Sequence, residues 1–233
     1  MSEWLPSASL EGLAARADLL QALRRFFHDR GVMEVDTPLL SQGTIPDPGI
    51  DVFRLPGEGD EADRYLQTSP ESAMKRLLAA GSGDIFQICK AFRQGEAGRH
   101  HNPEFTVLEW YRVGWDHTAL MREVAEFLGT VLNSDGWQIW PYRTLFVEHL
   151  GVDPLDERTS LAALTDLAQS RIGSVPDGLD RDALLDLLMS HCIEPGIGDW
   201  GVVFVTDFPP SQVAMARYTS VGDADVAARF ECY

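Results

Sequence analysis

The sequence predicts one domain of mixed α and β structure, and three observations point to it. Apolar residues recur at helical spacing near the start, two runs of β-type residues flank a polar loop in the middle, and no linker or repeat divides the chain. A chain of 233 residues with 45% hydrophobic and 24% charged side chains can bury a sizeable core.

Leu13, Ala17, Leu20, Leu23 and Phe27 fall on one face of a helix predicted over Leu10 to Arg30, with Gly31 placed to end it. VMEVDTPLLS follows as an extended segment whose Pro38 would interrupt a central ladder, so an edge or interface role is expected. The Gly-, Pro- and acid-rich stretch from Gly43 to Asp63 reads as a loop around a short strand, Ile50 to Leu55. A strand is predicted over Tyr65 to Thr68. Ser69-Pro70-Glu71 then opens a helix, with Ser as N-cap, Pro at the first helical position and an acid in the first turn.

DIFQICKAFR and EFTVLEWYRV read as two strands joined by QGEAGRHHNP. Asp116 can cap a helix to about Leu132, and helices are expected at 142–150, 160–170 and 181–192. A strand over Val202 to Asp207 ends at Pro209-Pro210.

Composition excludes several functions. No apolar run is long enough to cross a bilayer and the start lacks the pattern of a signal peptide, so a cytoplasmic protein is expected. Cys89, Cys192 and Cys232 are odd in number and lack metal-ligand spacing, which predicts reduced, mostly buried thiols. A formal net charge of -17 argues against a broad nucleic-acid surface and suits a basic protein partner better.

Against that charge, the cluster of cationic and polar groups in FRQGEAGRHHNPEF suggests a local site for something negative. Strand alternation places Phe105, Val107, Glu109 and Tyr111 on one face, and Gln87, Cys89, Ala91 and Arg93 together on the preceding strand. If the strands pair, Arg93, Phe105, Glu109 and Tyr111 converge. A carboxylate beside a tyrosine can hold an ammonium, and an arginine can hold a carboxylate or phosphate in its fork. Glu71 with Glu109 could also form an acid and base pair, but no nucleophile accompanies them, and cation binding is preferred. Each residue also has a plain structural role: Phe105 as a core ring, Arg93 and Glu109 as a cross-strand ion pair, Tyr111 as a half-buried sheet residue. His100-His101 reads as a solvated loop pair. Parity alone leaves function open.

TPLLS after an amphipathic helix, TSPE opening a second helix and FRQGEAGRHHNPEFTVLEWY together resemble the class II aminoacyl-tRNA synthetases of the lysyl type. More narrowly, the chain is similar to the lysyl-tRNA synthetase paralogues that ligate β-lysine to elongation factor P. The resemblance implies an α+β fold, an antiparallel sheet flanked by helices, over 1–233. It also implies dimerisation through motif 1, with Pro38 as its proline. Arg93 would be the catalytic motif 2 arginine. Gln94, Gly95, Glu96, Asn102 and Phe105 would join it in binding ATP, the ring under the base. Ser69, Pro70 and Glu71 would hold the near amine of lysine or β-lysine, and Glu109 with Tyr111 the distal ammonium. Magnesium would bridge the phosphates, its protein ligands lying outside this chain.

Two departures and one absence qualify these expectations. The motif often reads Arg-x-Glu, whereas here Gly95 follows Gln94 and Glu96 comes one place later. The chain stops at RFECY, inside a predicted strand, before an ELxNG-type segment and motif 3. This predicts an incomplete sheet with unpaired backbone, and little or no activity for the 233 residues alone. The motif 1 helix also begins almost at once, leaving no room for an anticodon-binding domain, so elongation factor P is the expected acceptor and tRNA is not. The alternatives are a lysyl-tRNA synthetase-like protein with another acceptor, or a catalytically incomplete interaction module.

Overall fold

The computed structural model describes residues 5–45, 49–99, 101–132 and 136–233; His100 and Pro46 to Pro48, on which loop readings fell, lie outside them. Contacts divide the chain into two compact units, Met1–Gly114 and Trp115–Tyr233.

In the first unit, α1 (Leu10–His28) starts where the Ser9 hydroxyl accepts from the Gly12 amide, a cap worth about 1 kcal/mol. It ends two residues earlier than the spacing predicts, with Gly31 at φ 70° turning the chain into β1 (Met33–Glu34). That strand is the parallel edge of a sheet ordered β1-β5-β6, where β5 is Ile85–Phe92 and β6 is Glu104–Tyr111. The expected edge position of this segment is met. A second, small sheet joins β2 (Leu40–Ser41), β4 (Arg64–Leu66) and β3 (Arg54–Leu55) in the order β2-β4-β3, so the strand expected from Ile50 shortens to two residues. In the chain between β4 and β5, α2 (Glu71–Ala79) buries Met74.

The core of this unit is aromatic. Phe27 stacks on Phe86 at 4.7 Å between ring centroids and tilts against Trp110 at 5.3 Å. Phe86 and Trp110 are cross-strand partners, so α1 covers one face of the β5–β6 pair. Truncating the wholly buried Phe27 to alanine is expected to cost about 3–5 kcal/mol. The opposite face is left for polar side chains.

The second unit opens with α3 (His117–Leu132), whose first turn is capped as expected by Asp116, the carboxylate accepting from Ala119 at 2.8 Å. A four-stranded sheet runs β7-β8-β10-β9, with β7 Trp137–Pro141, β8 Val202–Phe208, β9 Tyr218–Val221 and β10 Ala224–Cys232. Its pairs are antiparallel except β7 with β8. β10 pairs with β8 at Ala227 and again from Phe230 to Cys232, with a register shift between, and Tyr233 exchanges both backbone bonds with Val203. On its other side β9 covers only Ala224 to Ala227. Beyond Ala227 no strand among the described residues pairs on that side of β10, where the Ala228 amide donates to the Arg217 carbonyl at 2.8 Å.

Helices α4 (Tyr142–Leu150), α5 (Leu161–Ile172) and α6 (Arg181–Leu188) pack on this sheet around Phe146, Leu164, Leu184 and Val203. Beyond α6 the predicted helix changes type. Met189–Ile193 is a π-helical turn, the Glu194 amide donating to the Met189 carbonyl, before α7 (Glu194–Ile197). Bonding five residues back places Leu188 and Ile193, both fully buried, on one face. The three cysteines are free as expected, with Cys89 and Cys192 half-buried but Cys232 exposed.

Candidate active site

On the face of β5 and β6 away from α1, Gln87 lies opposite Glu109, Ala91 opposite Phe105 and Ile85 opposite Tyr111. The alternation read from sequence is the one observed, and the neighbouring loop completes the group. Ser69 donates to one Glu109 oxygen at 2.6 Å and Tyr111 donates to the other at 2.5 Å. The Ser69 oxygen also accepts from the Glu71 amide at 3.1 Å, so one hydroxyl joins the helix start to the sheet. Pro70 is buried and is itself the cap residue, its carbonyl accepting from Met74 at 2.9 Å, so the helix starts one residue later than the sequence reading, which had Ser69 as the cap and Pro70 as the first helical residue.

Burial first, then the Glu109 carboxylate, push the Tyr111 phenol far above its ordinary pKa, so it stays protonated and remains a donor. Glu71 accepts from Lys75 one turn along α2, a pair that leaves both side chains partly exposed and contributes only about 0.3–0.5 kcal/mol. Two carboxylates, one neutral phenol and one hydroxyl offer the acceptors that an ammonium group needs.

The second half of the group surrounds Arg93. Its guanidinium carbon lies 5.1 Å from the Phe105 ring centroid, and its Nε donates to the Thr68 carbonyl at 3.4 Å. The cross-strand ion pair with Glu109 does not form; Arg93 meets Glu96 instead, at 3.7 Å. Gly95, at φ 83°, permits the turn that brings Glu96 back, a conformation unfavourable for a side chain. The base of the loop is pinned where the Arg93 amide donates to Pro103 and the Gln94 amide to Asp51, each at 2.9 Å. Asn102 is exposed and bonded to none of the described residues, so it joins the group by loop position alone.

A half-exposed guanidinium above an aromatic ring has the chemistry to hold a phosphate, and the carboxylates of Glu71 and Glu109 have the chemistry to hold an amine. Residues 5–233 match the family described as tRNA synthetases class II (D, K and N). The chain belongs to this family. It is 47% identical, over its whole length and 73% of the relative's, to the elongation factor P (R)-β-lysine ligase of Edwardsiella ictaluri. The ligase of the same name from Vibrio parahaemolyticus is 48% identical with the same coverage. That of Pseudoalteromonas translucida is 48% identical over 99% of this chain and 72% of the relative.

Within this synthetase frame, the sequence reading left several supporting groups without roles. Gln67 donates to the Lys90 carbonyl at 2.8 Å and to Cys89 Sγ at 3.2 Å, and its carbonyl accepts from Phe92, fixing the approach to Arg93. Thr37 donates to the buried Gln87 at 3.0 Å. Alternation had placed Gln87 and Cys89 on this face, but the partners lie 22 to 50 residues away and no local pattern marks them. Among the described residues no group of three or more His, Cys, Asp or Glu side chains could hold a metal ion, so magnesium finds no ligand cluster there. No described helix is long and apolar enough to cross a membrane.

Proposed function

We propose that this protein is an ATP-dependent ligase that activates lysine or β-lysine as an aminoacyl-adenylate and transfers it to a lysine of elongation factor P. The observation that carries the reading is the clamping of Glu109 between the Ser69 and Tyr111 hydroxyls, beside Arg93 and Phe105. A carboxylate fixed this way presents a preformed negative charge for the distal ammonium, and Glu71 does so for the amine nearer the carboxyl group. Phe105 stacks on adenine, with Gln94, Gly95, Glu96 and Asn102 on the rim of the ATP site.

In the first step an oxygen of the amino acid carboxylate bonds to the α-phosphorus of ATP, and the bond from that phosphorus to pyrophosphate breaks. Arg93 holds both reactants and stabilises charge on the phosphoryl oxygens as they become crowded. In the second step the neutral acceptor amine attacks the acyl carbon, AMP leaves, and a proton is released as the amide forms. The acidic balance of the chain supports a protein acceptor over tRNA. Exposed Leu10, Leu13 and Leu19 on α1, with Pro38 exposed beyond it, support a homodimer through this region.

Amino-acid-dependent ATP–pyrophosphate exchange tests the reading on a protein carried to the length of its relatives. Exchange with lysine or (R)-β-lysine is expected, and Arg93→Ala should lower it by about a hundredfold or more. Absence of exchange with both amino acids would overturn the assignment.

A further inference from the structure

A cavity of about 480 Å³ lies between the 38–45 segment and the start of α2 and shares Ser69 with the site above. The chain carries a formal net charge of -17, yet among the described residues no Asp or Glu lines this cavity, and two arginines do, Arg64 from β4 and Arg76 from α2. Neither guanidinium has an ion-pair or hydrogen-bond partner among the described residues. Thr68 also lines the cavity; the residue is 1% exposed and its hydroxyl is without a hydrogen-bond partner.

The start of α2 adds a further donor. Pro70 has no amide hydrogen and the Glu71 amide is taken by Ser69, whereas the Ser72 amide has no acceptor among the described residues. The Ser72 and Thr44 side chains stand on the same lining. Glu71, the acid of this first turn, is engaged by Lys75 and does not line the cavity.

We propose that this cavity is an oxyanion subsite that takes a phosphate or carboxylate group. Two forked cations, a free first-turn amide at the positive end of a helix and a buried hydroxyl all offer hydrogens, and the described lining residues supply no negative charge to oppose an anion. An ammonium ligand would meet two arginines, and an apolar one would leave the Thr68 hydroxyl unsatisfied. The subsite requires no adenylate chemistry, so its test is separate from the exchange assay.

Inorganic phosphate is titrated into the ¹⁵N-labelled chain at constant ionic strength, and a glutamate-rich peptide is titrated in parallel. Saturable shifts of the Thr68 and Ser72 amides are expected with at least one probe. The Arg64→Gln/Arg76→Gln variant should weaken them by about tenfold or more, and Arg76→Gln alone by less. Saturation by phosphate alone assigns the subsite to a free phosphate group, and saturation by the peptide alone assigns it to a protein carboxylate. Shifts that do not saturate with either probe, or that persist undiminished in both glutamine variants, overturn the proposal.

Discussion

Glu109 holds two hydrogen bonds from neutral hydroxyls, and neither cancels its charge. Replacing it with glutamine keeps the shape and removes the charge. We expect Glu109→Gln to raise the KM for the amino acid by about tenfold or more with little change in the KM for ATP. Tyr111→Phe removes one of the two supports and should act in the same direction more weakly; equal effects on both KM values would contradict the division of the site. At this scale the sequence was informative where neighbours are local. Period-two alternation put Glu109, Tyr111, Phe105 and Arg93 on one face, and the motif 2 resemblance supplied their roles. It could not show that Glu96 would take the place of Glu109 as the partner of Arg93, because that depends on the turn at Gly95.

Among elements, the capped helices and the two long strands were legible, since capping and periodicity act within a few residues. Strands β7 and β9 were not read: β7 owes its strand state to β8, distant in sequence, whereas β9 is the short, wholly exposed arm of a hairpin to β10 turned at Gly222-Asp223, with no apolar alternation to mark it. On α6, Asp186 carries a pH prediction. The residue is exposed overall, but loss of water around its carboxyl first, then the Asp182 carboxylate, hold its pKa above the ordinary aspartate range, while Gln212 donates to it at 2.9 Å. A pKa raised by folding means that ionisation opposes the folded state. The cost is therefore full above the folded pKa, declines as pH falls through it, and is absent below the unfolded value of about 4. Asp186→Asn keeps an acceptor for Gln212 and should raise Tm at pH 7 by about 2 °C, with the gain gone below about pH 4. A gain that persists in acid would mean that ionisation is not its source.

At the level of the whole molecule, the division at Gly114 is not marked by any shift in composition, and it emerges only from the pattern of contacts. The apolar residues left exposed on α1 belong to the first unit. If they form the dimer contact proposed above, Leu13→Asp should shift sedimentation from dimer to monomer while circular dichroism stays unchanged. A wild-type chain that sediments as a monomer at all concentrations would remove that contact from the proposal.

The π turn at Met189–Ile193 contains one residue more than an α-helix would use there. Deleting Ser190 would let regular bonding run from α6 into α7. Leu188 and Ile193, five apart and on one face across the π turn, would then be four apart and would still share that face. Ile193 and Ile197, both fully buried, would keep their places in the core. The shortened chain should therefore fold and melt close to the original, the extra residue being an insertion that the turn absorbs.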